Sequence, residues 1–217
     1  MRSACVVIVM AKAPVAGYAK TRLIPALGAA GAAVLARRLL DHTVAQAVAA
    51  GLGTVDLCCA PDHSHAAFTT WAQRSGAVLS SQSECDLGAR MSDAFDRWWA
   101  HSDRVLLIGT DAPAIDAAML RQAAQALEEY DAAFVPALDG GYALIGLRRA
   151  APSLFSDMVW STSNVMAVTR GRLLAAGLRC TELAPVADID EPADLVHLPA
   201  HVPVNAPMNE SPPGWLA

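Results

Sequence analysis

Apolar residues fall along this chain in short runs, one of them interrupted by Asp56, separated by longer stretches in which they recur every three or four positions. The runs Cys5–Met10, Val55–Ala60, Val105–Ile108, Ala132–Pro136 and Ala143–Leu147 are strand-length and bounded by turn residues, the pattern of strands buried on both faces. Between them, Ala29–Ala50, His65–Arg74, Leu87–Trp99, Ala117–Glu129 and Val165–Ala176 carry helical spacing. Leu35, Leu39 and His42 share one helical face while Arg37, Arg38 and Asp41 stand beside it, so one side is apolar and the other wet. Alternating strands and helices predict an α/β fold, a mainly parallel sheet with helices on both faces.

Two segments break the alternation. Gly17–Pro25 is a polar, basic loop after the first strand, and Leu138–Tyr142 places Asp-Gly-Gly between two apolar runs, which predicts a tight hairpin. Both are candidate functional loops. The stretch 199–217 carries five prolines and few apolar anchors, and is expected to be mobile or loosely packed. The organisation expected is one domain over residues 1–198 followed by a Pro-rich tail over 199–217.

With 217 residues the chain is long enough for one sizeable core and short for two. Hydrophobic residues make up 54% and charged residues 17%, against a usual charged share of about 25%, which excludes disorder for most of the chain. Alanine supplies much of that excess, and the run from Ala26 to Ala36 is broken by glycines and closed by Arg37-Arg38, so no membrane span is expected. A net charge of −5 argues against a nucleic-acid-coating protein. The N-terminal apolar run reads as a first strand, not a signal peptide, because Lys12 interrupts it. Five cysteines without metal-type spacing fit a reduced, cytoplasmic compartment.

Candidate chemistry lies at the ends of the predicted strands. The loop from Lys12 to Leu23 holds Lys12, Lys20 and Arg22 with no acid, and Gly17 would let a phosphate approach its backbone; a solvated surface loop is the plain alternative. Asp111 follows the strand Val105–Ile108, at the strand end where open α/β sheets bind ligands, and is placed to hold Mg²⁺ or Mn²⁺ or to cap a turn. Asp139 stands beside Gly140 and Gly141, either as a hairpin turn or as a site where substrate approaches bare backbone. In Asp188-Ile189-Asp190 the two acids share one side if the segment is extended, so both could face one cation; helix capping by Asp190 before Glu191-Pro192 is the alternative. Trp160 and Ser161 could line a sugar or acceptor pocket, or the hydroxyls of Ser161, Thr162 and Ser163 could cap the next helix. Asp86 reads as a cap, and Arg90 as turned toward a phosphate or into a surface pair. His63 and His65 have no partner spacing for a metal. Trp98 and Trp99 cannot share one narrow helical stripe, so either one stands at the surface, where a homodimer interface would use it, or both pack into the core through a bent helix end.

Taken in order, Lys20-Thr21-Arg22-Leu23, Leu87-Gly88-Ala89-Arg90-Met91, Gly109-Thr110-Asp111-Ala112-Pro113, Asp139-Gly140-Gly141-Tyr142, Trp160-Ser161-Thr162-Ser163 and Asp188-Ile189-Asp190 resemble the DUF2064 family, described as glycosyltransferase-A-like. The resemblance runs from about residue 5 to 195. It implies the nucleotide-diphospho-sugar transferase fold, a single-domain three-layer α/β/α unit with a mixed, mostly parallel sheet that binds nucleotide in its N-terminal half and acceptor in its C-terminal half. Carried onto this sequence, it implies that Lys12, Lys20 and Arg22 meet donor phosphates, with Gly17, Thr21 and Arg90 in the same region, and that Asp111 is the metal-binding acid. Many glycosyltransferases of this fold have Asp-x-Asp there; this chain has Asp111-Ala112-Pro113, so the second ligand is expected from Asp190 or Asp188. The activity implied is metal-dependent glycosyl transfer from a nucleotide-diphospho-sugar to a small acceptor, with Asp139 as base and Gly140, Gly141, Trp160 and Ser161 on the substrate. A nucleotidyltransferase releasing pyrophosphate is the alternative, favoured by the basic loop. A non-catalytic nucleotide-binding protein is the third.

Overall fold

The computed structural model describes residues 5–200 and residue 202. Its first strand, β1 (Cys5–Lys12), seeds two cores at once, because side chains alternate across a strand. Cys5, Val7, Val9 and Ala11 face one apolar compartment, and Val6 and Ile8 face the other. The remaining strands are β2 (Gly53–Ala60), β3 (Val78–Ser81), β4 (Val105–Ile108), β5 (Ala132–Pro136), β6 (Tyr142–Leu147) and β7 (Cys180–Glu182). They form one sheet in the order β3-β2-β1-β4-β6-β5-β7. All pairings are parallel except those of β6 with β4 and β5. The reversal at β6 follows from the Asp139-Gly140 turn, since a connection this short can only join antiparallel strands. The single-domain, mixed and mostly parallel α/β architecture expected from sequence is the one observed.

The helices are α1 (Ile24–Ala49), α2 (Ala66–Ser75), α3 (Leu87–Asp96), α4 (Ala117–Ala126) and α5 (Val165–Ala175). On one face of the sheet, Leu40 and Val44 of α1, Phe68 and Trp71 of α2, and Leu120 and Ala123 of α4 pack with the odd-numbered side of β1. On the other, Met91 and Phe95 of α3 and Met166 and Leu173 of α5 pack with Val6 and Ile8. Asp86 caps α3 by accepting from the amide of Ala89 at 2.9 Å. Asp86→Ala is expected to cost about 1 kcal/mol, read as a lower urea midpoint at unchanged slope; an unchanged midpoint would refute this role for the cap.

Helix α1 begins five residues earlier than the periodicity predicts. Pro25 suits a first helical turn, and Gly28 then breaks the helix at φ 69°, so the regular helix does run from about residue 29. By length and composition alone the stretch Thr21–Ala49 is long and apolar enough to cross a membrane, its most apolar window having a mean hydropathy of 1.5, a test that the core helix of a globular fold also passes. Its Leu35, Leu39, Leu40 and Val44 are spent on packing within the fold. Trp98 and Trp99 both pack against the core just beyond a helix end, the second of the two expected arrangements. Helix α3 ends at Asp96, so both escape the geometry of a helical stripe: Trp98 donates its indole N–H to Asp56 at 2.7 Å, and Trp99 stacks on Phe95. Each is half-buried.

A third apolar cluster positions the site. Leu23, from the basic loop, and Ile189, from the acidic segment, are both fully buried against Ala32, Leu35 and Leu39 of α1, and Val202 joins them. Val202 thus anchors one point of the tail expected to be loose; residues 201 and 203–217 lie outside those described.

Candidate active site

The acidic segment reaches the centre of the sheet along a ladder of backbone bonds. Beyond β7, Leu183 N–H donates to the carbonyl of Phe134, Val186 N–H to that of Pro136, and Ile189 N–H to that of Asp111 at 2.8 Å. The chain therefore runs from β5 across the carboxyl end of the sheet to β4. This brings Asp190 beside Asp111, residues far apart in sequence.

Lys20 joins them. Burying Leu23 pulls the loop down on the same cluster as Ile189, and Lys20 takes a left-handed conformation, φ 49° and ψ 44°, at the start of the 3₁₀ turn Thr21–Leu23. Its Nζ donates to Ile189 O at 2.6 Å and to Asp190 Oδ1 at 2.9 Å, and pairs closely with Asp111 Oδ1. The Lys20 side chain is only 8% exposed. Burial alone would lower its pKa; the Asp111 and Asp190 carboxylates outweigh that and hold it above the usual lysine value. Arg22, 62% exposed, stands 3.9 Å from Asp190 Oδ2.

Two carboxylate oxygens and one carbonyl oxygen thus converge on a single positive charge, a donor set of the hard-oxygen type that Mg²⁺ or Mn²⁺ takes. The residues fit such an ion. Among the described residues no three His, Cys, Asp or Glu side chains gather as a metal-ligand set, so the third protein oxygen here is the Ile189 carbonyl.

Asp188 points to a second acidic region. Its pKa is pushed up to about 6, first by burial, then by the charge of Asp139, with smaller contributions from Asp190 and Asp194. The folded protein holds this proton to about pH 6 while the unfolded chain loses it near 3.8. Asp188 therefore lowers stability as pH rises through that window, and the loss persists above it. In EDTA, Asp188→Asn is expected to flatten this decline by about 1 kcal/mol, a figure discounted for partial exposure. Parallel stability–pH profiles for variant and wild type would refute it.

Residues 43–162 match the model of DUF2064, a family described as an uncharacterized protein conserved in bacteria. The chain belongs to this family. A provisionally named nucleotide-diphospho-sugar transferase from Desulfovibrio desulfuricans is similar in structure at a TM-score of 0.81 and 30% identity, covering 89% of this chain and 85% of its own. The fold is likewise similar to that of CMP:2-keto-3-deoxy-manno-octonic acid synthetase complexed with CTP, at a TM-score of 0.55, 15% identity, and coverage of 89% and 96%. A Mycobacterium tuberculosis protein in complex with manganese aligns at a TM-score of 0.54 and 16% identity, covering 89% and 97%. No curated protein matches the chain. The DUF2064 chain therefore has the nucleotide-diphospho-sugar transferase type of fold.

The other sequence-predicted residues of this DUF2064 protein lie on the basic loop, α3, the hairpin and the Trp160 loop. Lys12 ends β1, exposed, with its ammonium 6.0 Å from the Tyr18 ring centroid. Gly17 turns the loop at φ 81° in open space, and Thr21 is exposed. Arg90 donates to the carbonyl of Cys85 at 2.7 Å, within the loop before α3.

The hairpin, α3 and the Trp160 loop form a second group. Asp139 Oδ1 accepts from Gly141 N–H at 2.8 Å, and the Gly140 carbonyl accepts from Met166 N–H at 2.9 Å. That bond satisfies an orphan amide of α5; no hydroxyl of Ser161, Thr162 or Ser163 caps the helix, contrary to one expectation. Gly140 sits so close to Ser163 that a Cβ would lie 2.1 Å from its carbonyl oxygen. Trp160 lies against Gly88, where a Cβ would come within 2.8 Å of the indole nitrogen, and meets Tyr142 edge-on at 6.4 Å. Burial raises the pKa of Tyr142, so its hydroxyl stays protonated. Ser161 is exposed at φ 60°.

The capping alternative for Asp190 also fails. Glu191 is the N-cap of the 3₁₀ turn Pro192–His197, and the Asp194 carboxylate accepts from the amides of Asp190 and Glu191. The Asp190 side chain is thereby left to Lys20. The Ile189 carbonyl went unseen in sequence because a main-chain acceptor has no residue signature. Gln82, which donates to the carbonyls of Cys58 and Ala11 at 3.0 and 3.4 Å beside the end of β1, likewise carried no signal.

Proposed function

We propose that this protein is a metal-dependent transferase that moves a sugar from a nucleotide-diphospho-sugar to a small acceptor. The observation carrying the proposal is the convergence of Asp111, Asp190 and the Ile189 carbonyl on one cationic position at the carboxyl end of the central strands. The similarity to the provisionally named Desulfovibrio nucleotide-diphospho-sugar transferase supports a nucleotide-linked donor.

In this reading Asp111 and Asp190 hold the divalent ion, with Asp188 of the same segment as a further carboxylate. Bound there, Mg²⁺ or Mn²⁺ would act as a Lewis acid on the donor diphosphate. Arg22 and Lys20 neutralise the charge that grows on the departing phosphate, and Lys12, Gly17, Thr21 and Arg90 line its approach. The acceptor hydroxyl attacks the anomeric carbon, the bond from that carbon to the diphosphate oxygen breaks, and Asp139 takes the hydroxyl proton. Gly140, Gly141, Trp160 and Ser161 form the acceptor side, where Trp160 supplies a flat apolar wall. A cytoplasmic location fits the five cysteines, none of which forms a disulfide among the described residues.

A second reading, nucleotidyl transfer, is favoured by Ala112-Pro113, which puts no second acid next to Asp111. There a phosphorylated small molecule attacks the α-phosphate of a nucleoside triphosphate and pyrophosphate leaves. Product analysis separates the two. Incubation with Mn²⁺ and a panel of sugar nucleotides and acceptors is expected to yield free nucleoside diphosphate; pyrophosphate from a nucleoside triphosphate instead would install the second reading.

A further inference from the structure

Lys20 fills the position that the metal reading assigns to a divalent ion. Its ammonium has three N–H donors, and the three partners, Asp111 Oδ1, Asp190 Oδ1 and Ile189 O, account for all of them. None is left for a phosphate. The three oxygens form one face of a coordination shell, half of the six that an octahedral Mg²⁺ takes. An ion in contact with the same oxygens would overlap the ammonium, so the two occupants exclude each other.

We infer that Lys20 is a built-in counter-ion, which keeps a divalent cation off the Asp111–Asp190 pair until a phosphate-bearing donor draws the ammonium away, so that cation and donor load together. The inference rests on the metal reading given above. Charge balance carries it: two carboxylates and one ammonium leave one negative charge, whereas a divalent ion balances both acids and frees a lysine that needs an anion. Arg22 stands at the mouth, 62% exposed and 3.9 Å from Asp190, where an incoming phosphate meets it first. The long lysine stem can then swing without moving the backbone. The left-handed backbone of Lys20 would suit asparagine or glycine better than lysine, which makes the lysine removable.

The test is a titration of the full chain with Mn²⁺ alone, following the free ion by electron paramagnetic resonance, for wild type, Lys20→Asn and Asp111→Asn. Lys20→Asn is expected to bind Mn²⁺ about tenfold or more tighter than wild type, because a competing charge in direct contact has been removed, and to gain more thermal stability from the ion. Lys20→Gly, which also suits the left-handed backbone, replaces it if the asparagine variant does not fold. Equal or weaker binding by the Lys20 variant, with binding still lost in Asp111→Asn, would overturn the inference and leave the metal reading standing. No binding by any of the three proteins would overturn both.

Discussion

Asp111→Asn is expected to lower kcat/KM by about three orders of magnitude, about 4 kcal/mol of barrier, while leaving the fold intact. The change keeps the shape of the side chain and removes the charge that a divalent ion needs. Lys20 would still donate to Asp190 and to the Ile189 carbonyl, so the buried ammonium is not stranded, and Ile189 N–H would still reach the main-chain carbonyl at position 111. Near-ultraviolet circular dichroism should match wild type. Steady-state kinetics with Mn²⁺ saturating would check the activity, and a loss below about tenfold would remove Asp111 from the reaction.

Gly140→Ala is expected to destabilise the protein by about 3 kcal/mol or more. Two effects add there. The residue adopts φ 96°, a conformation L side chains rarely take, and the new methyl would lie 2.1 Å from the Ser163 carbonyl oxygen and 2.6 Å from its Cα. Those contacts are backbone, so no side-chain rotation relieves them. Because the Gly140 carbonyl also receives the Met166 amide, the shift would pass into the start of α5 and the Trp160 loop. Chemical denaturation measures the loss directly. A change within about 0.5 kcal/mol would mean that the hairpin is free to move away from Ser163.

The five central strands and five helices were legible because each carries its own pattern: β4, and β1 as far as Ala11, are apolar without interruption, and the helices repeat every three to four residues. The strands β3 and β7 were not. Val78–Ser81 is short and partly exposed, and Cys180–Glu182 has three residues with none fully buried, so each owes its conformation to a neighbouring strand more than to its own pattern. The candidate site divides in the same way. Lys20, Arg22 and Asp111 could be named from residue type and position beyond strand ends, and Asp190 from the alternation Asp188-Ile189-Asp190. Their meeting could not, because it depends on Leu23 and Ile189 sharing a pocket against α1 and on amide bonds of residues 183–189. That Lys20 is engaged by acids rather than free for phosphate was invisible for the same reason: a chain of symbols gives charges but not their separation.

The most direct test of the central claim, a metal-dependent nucleotide donor site built on Asp111 and Asp190, is thermal unfolding of wild type and Asp111→Asn. Each would be measured with nucleoside triphosphates, nucleoside diphosphates and sugar nucleotides, with and without Mn²⁺. A ligand that binds only the folded state must raise the unfolding midpoint. One nucleotide class is expected to raise it in wild type only when Mn²⁺ is present, and Asp111→Asn to lose the shift. A shift of equal size without Mn²⁺, or one retained in Asp111→Asn, would contradict that claim.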